Sequence, residues 1–304
     1  MNIELRHLRY FIAVAEEASF TAAARRVHVA QQVLSSQIRQ LEDTLGAQLL
    51  DRTSRGVTLT PAGASFLDGA RATLATLDRA TTAARNSADA ISGVLSVGLN
   101  VAAGGELPTT LLAAFERAEP QVEIRLRTFE LTHPAAGLLD GSTDVAFVRP
   151  PVQAPGIKLD DLAEEPRVFV LPAGHPLAGR DHLALADVAG LPWIAAETAT
   201  DGCDPACWRD DWLVIPRPGG DQAIIGAVAR TIEEWREYVV AGRGISLCPA
   251  SAETFHARPG LAFVAASHGV PAAALCVGWR ADDPSPAVRR FVEVVTTAAR
   301  AAGT

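Results

Sequence analysis

Gln31, Gln32, Ser35, Ser36, Arg39 and Gln40 crowd into one stretch, AQQVLSSQIRQLEDTLG, residues 30–46. An amide offers a donor beside an acceptor, a hydroxyl either role, and a guanidinium a two-pronged donor. These are the groups that read base edges and hold phosphates along a DNA groove. Such chemistry needs one rigid element to line the side chains up. Leu34, Ile38, Leu41 and Leu45 recur at i, i+4, i+7 and i+11, which gives a helix one narrow apolar stripe facing a core. Gln32, Ser36, Arg39 and Asp43 keep the same spacing on another face. Gly46 follows the last apolar position, where a left-handed residue commonly ends a helix. The same pattern also describes an ordinary surface helix, so the neighbouring segments must decide.

Ser19-Phe20-Thr21 followed by Ala22 to Val27 reads as a short helix with a hydroxyl cap, and His28-Val29-Ala30 as a tight connection into the next. Two short helices joined by about three residues form the helix-turn-helix pattern. Ala23 and Ala24 let the two approach closely. Leu5, Leu8, Phe11, Ile12 and Ala15 keep helical spacing through Asn2–Glu17, a bracing first helix. Gln48 to Leu59 reads as two short strands around a turn with Arg52 and Arg55, a wing.

Through LRHLRYFIAVAEEASFTAAARRVHVAQ, LSSQIRQLEDTLGAQLLDR and VTLTPAG the chain resembles the amino-terminal winged helix-turn-helix of the LysR-type transcriptional regulators, over roughly the first 65 residues. The resemblance implies that the helix holding Gln31 to Asp43 lies in the major groove while the wing touches flanking backbone or minor groove. Arg25, Gln31, Gln32, Ser35, Ser36, Arg39, Arg52 and Arg55 are the expected DNA contacts. Where family members often carry Arg after the serine of this helix, this chain has Ser36, which puts one common phosphate or base contact in question.

The net charge of −8 at first argues against a polyanionic partner. Residues 1–60, however, hold seven arginines against six acids, a net of +1, leaving −9 for the remainder. Arg25, Arg26, Arg39, Arg52 and Arg55 fall on the elements that would face phosphate. A footprint this modest points to affinity that depends on two or more copies on one DNA.

Thr60-Pro61 opens a further helix, Thr as N-cap and Pro as first residue. Leu67, Leu74 and Leu77 stand in a seam that continues through Ala70, Thr81, Ala84 and Ala88 at spacings of three and four. One reading is a linker helix packed on its own domain. The resemblance implies the other, a homodimer contact that sets the distance between two recognition helices on a pseudo-palindromic site.

Ser92-Gly93 breaks that helix. Strands are expected over Val94–Leu99, Val122–Phe129 and Asp144–Val148, with helices over Leu107–Arg117 and Pro134–Leu139, a βαβαβ run. A second run follows in Val168–Leu171, Trp193–Ala196, Thr231–Ala241 and Ile245–Leu247, then Leu275–Trp279 and a last helix from about Ser285 to Arg300. Through LPTTLLAAFERAEPQVEIRLR, LLDGSTDVAFV, LPAGHPLA and VVAGRGISLCPAS this part resembles the bilobed effector-binding domain of the LysR family, which shares its architecture with periplasmic solute-binding proteins. The fold class expected is therefore α plus α/β. A winged helix-turn-helix spans 1–60 and a linker helix 61–91. One lobe is built from 92–163 and 272–304, the other from 164–271.

Strand ends and helix N-termini meet between such lobes, a natural place for a small ligand. The resemblance assigns effector contacts to Asn100, Ala103, Arg149, Thr198 and Thr200. A guanidinium among hydroxyls suits a carboxylate or aromatic acid, and the alternative for Arg149 is a salt bridge to an acid such as Asp160 or Asp161. Trp208, Trp212 and Trp235 read as core or as ring faces for an aromatic ligand, with core favoured. Cys203 and Cys207 lack a nearby His for zinc and read as small hydrophobes. No P-loop, GxSxG, HExxH or strand-borne GxGxxG occurs, so neither enzymatic activity nor a metal or other cofactor is expected. The amino-terminal stretch has charges where a signal peptide would be apolar, and no eighteen apolar residues run together. The expectation is a cytoplasmic, nucleoid-associated homotetramer with no membrane contact, taking double-stranded DNA and a small effector as partners. A solute-binding or enzymatic protein carried by the bilobed part is the alternative.

Overall fold

A computed structural model describes residues 3–53, 56–85, 93–197, 205–217, 222–267, 269–283 and 285–302. The chain divides into two compact units, one from Met1–Ser87 with Asp140–Ser142 and the other from Ala88–Leu139 and Thr143–Thr304.

In the first unit, α1 (Leu5–Glu17), α2 (Phe20–Arg26) and α3 (Gln31–Leu45) surround a core in which Phe11, Val14, Ala23, Leu34, Ile38 and Leu41 are fully enclosed. The stripe on α3 thus behaves as its spacing requires. Leu45, the last member, is only partly covered because the helix is ending there. Gly46 takes φ 65°, and the amides of Gly46 and Ala47 donate to the carbonyls of Asp43 and Glu42, closing the C-terminus. Ser19 caps α2 by accepting from the Ala22 amide at 3.3 Å. His7 is buried and does two jobs. Its Nδ1 accepts from the Glu4 amide at 3.1 Å, which leaves the ring hydrogen on Nε2, 3.1 Å from Gln37 Oε1 on α3. The strands β1 (Leu50–Thr53) and β2 (Gly56–Leu59) pair antiparallel with Arg52 opposite Val57. Glu42 anchors this hairpin to α3, accepting from the amides of Leu49 and Leu50 at 2.8 and 3.1 Å.

Thr60 caps α4 (Pro61–Arg85), its hydroxyl accepting from the Gly63 amide at 2.9 Å. The start of α4 packs on its own domain: Phe66 meets the Phe11 ring edge-on at 5.4 Å, and Leu67 and Leu74 lie partly buried against the same core. Glu16 of α1 ties the group together, accepting from Arg71 of α4 at 2.8 Å and from Arg26 of α2 at 2.7 Å. Arg26 also reaches Glu17 at 3.2 Å. It is therefore turned toward α1, not toward a phosphate as its place in the sequence suggests.

Among the described residues the second unit has two large sheets and a two-stranded one. The first has the strand order β4-β3-β5-β13-β6, where β3 is Gly93–Asn100, β4 Val122–Phe129, β5 Val145–Val148, β6 Ile157–Glu165 and β13 Ala273–Arg280. Strands β4, β3 and β5 run parallel; β13, returning late in the chain, inserts antiparallel between β5 and β6. Helices α5 (Glu106–Ala118) and α9 (Pro286–Ala302) cover one face, with Phe115 and Phe147 packed on Phe291. The expected helix over Pro134–Leu139 is instead a run of turns. Ala136 and Gly137 both hold positive φ, 47° and 84°, and two successive left-handed residues cannot continue a right-handed helix. That turn presses on β3 so closely that a Cβ on Gly98 would lie 2.2 Å from the Ala136 carbonyl oxygen.

The second sheet is mixed. Strand β7 (Arg167–Pro172) lies between β11 (Ser246–Pro249) and β12 (Leu261–Ala266), antiparallel to both, and β8 (His182–Leu183) joins β12 in parallel. A single bridge from Trp193 to Ile245 continues the sheet into β9 (Pro192–Ala196) and its parallel neighbour β10 (Ile224–Ala229). Helices α6 (Pro205–Leu213), α7 (Ile232–Val240) and the short α8 (Ala252–Phe255) complete this lobe. Strand β6 extends to Glu165 in the first sheet and Arg167 begins β7 in the second, so the chain crosses at Pro166 and returns between β12 and β13.

Burial alone would raise the Glu16 carboxyl, but the hydrogen bonds from Arg71 and Arg26 outweigh it and hold the group below its ordinary value. A carboxyl depressed in the folded state stabilises above its unfolded pKa, and that contribution is lost as pH falls through the folded value. Glu16→Gln is therefore expected to cost about 0.5–1 kcal/mol in thermal denaturation at pH 7, with the difference from the parent shrinking as the pH is taken below the carboxylate range.

Candidate functional site

The buried seam of α3 dictates which side chains face outward. Gln31, Gln32, Ser36, Arg39 and Gln40 are all exposed, and Ser35 is half-buried beside them. They form a continuous polar row on a helix whose opposite face is locked into the core. Gln31 Oε1 accepts from Thr21 Oγ at 3.2 Å, which links the row to α2 and fixes one amide's orientation. The Ser36 hydroxyl donates back to the Val33 carbonyl at 2.9 Å, leaving its oxygen to accept. Arg25 on α2 is exposed too, and among the described residues neither Arg25 nor Arg39 has an ion-pair partner. Arg52 lies on β1; Arg55 lies outside the described residues.

Between the lobes of the second unit the most committed side chain is Arg149, at the end of β5 and 3% exposed. Its Nε donates to the Ala102 carbonyl at 2.7 Å, and one terminal nitrogen to the carbonyls of Ala273 and Ala274 at 3.2 Å each. The other terminal nitrogen forms a salt bridge with Glu165. Glu165 in turn accepts from the Ser251 amide at 2.7 Å and the Ser251 hydroxyl at 3.1 Å. The Arg149 carbonyl accepts from the Trp208 indole at 3.3 Å. A guanidinium has five N–H donors; four are engaged here, so an incoming carboxylate would have to compete with Glu165. The ion-pair alternative for Arg149 thus holds, with Glu165 as partner in place of Asp160 or Asp161. Asp161 instead accepts from the Cys276 thiol.

Asn100 is likewise engaged inside the protein. It is 1% exposed, its Oδ1 accepts from the Ala102 amide at 2.9 Å, and its Nδ2 donates to the carbonyls of Glu130 and His133 at 3.2 and 2.9 Å. With its amide and carbonyl both used on backbone, it shapes the loop and has no polar group left for an anion. Ala103 is fully buried beneath that loop. Thr198, Thr200 and Cys203 lie outside the described residues.

The loop closes one side of a cavity whose other walls are Ile194, Trp208, Trp212, Ile232, Trp235 and His256 of the second lobe and Leu131 of the first. Trp208 and Trp212 meet edge-on at 5.6 Å, and Trp235 and His256 at 6.1 Å. The tryptophans are thus core and wall at once. Burial, with Arg236 nearby, holds His256 below its ordinary pKa, so at neutral pH it adds a neutral ring. Arg167 stands over the Trp212 ring at 5.1 Å and donates to Asp211 at 2.5 Å. The cavity measures about 60 Å³, less than the roughly 150 Å³ of an apolar cavity that takes benzene. The lobes have to part, or side chains move, before a ring can enter. Burial raises both described thiols, Cys248 strongly and Cys276, which also donates to Asp161, up to about 12; neither is a ready nucleophile.

Glu165 and Ser251 are the residues that sequence reasoning passed over. The one available signal is the run Glu164-Glu165-Pro166-Arg167, where an acid precedes a proline at the point of crossing.

Residues 5–64 match the family described as "Bacterial regulatory helix-turn-helix protein, lysR family", and residues 88–300 match "LysR substrate binding domain". The chain is 33% identical to the Hca operon transcriptional activator HcaR of Escherichia coli (strain K12), over 96% of this chain and 97% of that one. It is 30% identical to the HTH-type transcriptional regulator AlsR of Bacillus subtilis (strain 168), over 96% and 95%. The crystal structure of CbnR, a LysR family transcriptional regulator, superimposes with a TM-score of 0.69 at 28% identity, covering 98% and 99% of the two chains. CbnR complexed with its target DNA superimposes equally well.

Removing one partner of a buried ion pair strands the other. Arg149→Ala would leave Glu165 and three carbonyls without their donor, and is expected to destabilise the second unit by about 3–5 kcal/mol, read as a lowered denaturation midpoint; an unchanged midpoint would refute the structural role.

Proposed function

The chain belongs to the LysR family of bacterial transcriptional regulators, and on that premise we propose that it binds promoter DNA through the outward row of α3 under the control of a small molecule held between its lobes. As a member it has a helix-turn-helix and an effector-binding domain, and the relatives it matches are regulators, not enzymes. The observation that carries the reading is the partition of α3: Leu34, Ile38 and Leu41 fully enclosed, Gln31, Gln32, Ser36, Arg39 and Gln40 facing outward. A helix held on one side and lined with amides, hydroxyls and a guanidinium on the other is suited to a major groove.

In this proposal Gln31, Gln32, Ser35 and Ser36 read bases, and Arg25, Arg39, Arg52 and Arg55 hold phosphate. The protein acts as a homodimer, assembled further into a dimer of dimers, because one copy with a net of +1 on its first 60 residues is a weak polyanion binder. Self-association is supported by β10, a sheet-edge strand with Ile224, Ile225 and Val228 exposed, and by the part of the α4 seam that includes Leu77. Leu67 and Leu74 serve the same helix while also packing on their own domain. The effector shifts the equilibrium between two forms of the assembly by its differential affinity for them. In this proposal it works in the cytoplasm, on the nucleoid; no described helix is long and apolar enough to cross a membrane.

Fluorescence anisotropy with DNA from immediately upstream of the chain's own gene, against random competitor, tests the reading; binding no better than to random DNA at several salt concentrations would refute it. Gln32→Ala is expected to weaken specific binding by about 1–3 kcal/mol while sparing random DNA. Arg39→Ala is expected to lower the slope of log affinity against log salt by about one, on operator and random DNA alike.

A further inference from the structure

We propose that the cavity between the lobes selects an uncharged aromatic molecule carrying a hydrogen-bond acceptor, in preference to a carboxylate. The proposal rests on the reading of this unit as effector-binding and names the chemistry of what it binds. Three features of the cavity bear on it.

First, Trp208, Trp212 and Trp235 with Ile194, Ile232 and Leu131 make walls of flat and branched apolar surface, which suit a ring. Second, among the described residues two buried donors beside this wall lack acceptors. The Trp212 indole N–H has none, and neither has Nε of Arg167, whose guanidinium lies over the Trp212 ring. Buried polar groups in folded proteins are nearly always answered, and a ligand oxygen supplies what the chain does not. Third, the cavity has no cation to spare among the described residues. Arg149 is held by Glu165 and Arg167 by Asp211, and His256 is a neutral ring. A carboxylate entering here would leave water without a counter-charge. A neutral carbonyl directed at the Trp212 N–H enters at far smaller desolvation cost.

Isothermal titration calorimetry on the full-length chain with benzamide, benzoate and toluene separates these terms. Benzamide and benzoate share a shape and differ in charge; toluene keeps the ring and lacks the acceptor. Benzamide is expected to bind at least tenfold more tightly than benzoate, and more tightly than toluene. Trp212→Phe, which keeps a ring and removes the N–H, is expected to reduce the benzamide-to-toluene affinity ratio threefold or more, with toluene reporting that the cavity is still formed. Benzoate binding as tightly as benzamide would overturn the proposal. So would a benzamide-to-toluene ratio unchanged by Trp212→Phe, or no binding of any of the three at millimolar concentration. Operator DNA titrated on the same preparation keeps the two readings apart: its failure to bind would sink the regulator and leave the ligand preference standing.

Discussion

A guanidinium removed from water must have its charge and its donors answered together, and the second unit is arranged around doing so for Arg149. The groups that answer come from far apart in the chain: the loop carbonyl of Ala102, the first carbonyls of β13, and Glu165 at the end of β6. Glu165 passes the tie on to Ser251 in the second lobe, and Trp208 returns it by donating to Arg149's own carbonyl. The result is a fixed point where both lobes and both strands flanking the crossing meet. Such a pair adds little stability over a well-packed apolar substitute, but breaking it is costly. It therefore specifies an arrangement more than it strengthens one. It also bears on the neighbouring cavity: Arg149 is held by Glu165 and Arg167 by Asp211, so neither brings an unanswered charge to its aromatic walls.

The first unit follows a different constraint. Its first three helices are short, and isolated helices of that length are marginal in water. They hold because three of them share one apolar core and because polar ties fix their ends: His7 from the start of α1 to α3, Glu42 from α3 to the wing, Glu16 from α1 to α2 and α4. These ties have a functional consequence. Each draws a charged or polar group away from the outward face, so Arg26 is occupied with Glu16 and Glu17 while Arg25, its neighbour in sequence, stays exposed. One residue of helical rotation separates a structural arginine from one available to phosphate.

The sequence by itself determined the elements whose signal is local. The stripe Leu34, Ile38, Leu41 with Gly46 behind it fixed α3 and its outward row, because a helix closes its hydrogen bonds within itself and needs only one buried face. Thr60-Pro61 fixed the start of α4 and Ser19 the start of α2 in the same way, and the long match to one family gave the order of the parts. What only the tertiary structure decided was whatever depended on partners distant in the chain. The direction of β13 between β5 and β6, the antiparallel neighbours of β7, and the turns where a helix was expected at Pro134–Leu139 are set by contacts that no local period encodes. So are the roles of the polar side chains in the cleft. Asn100 and Arg149 have the residue types of ligand contacts, and both are engaged by the protein's own backbone. Glu165, which sequence reasoning passed over, settles the charge of the site. Residue type states what a side chain can bond, but burial and the nearest partner in space determine what it does bond, and both come into being only when the chain has folded.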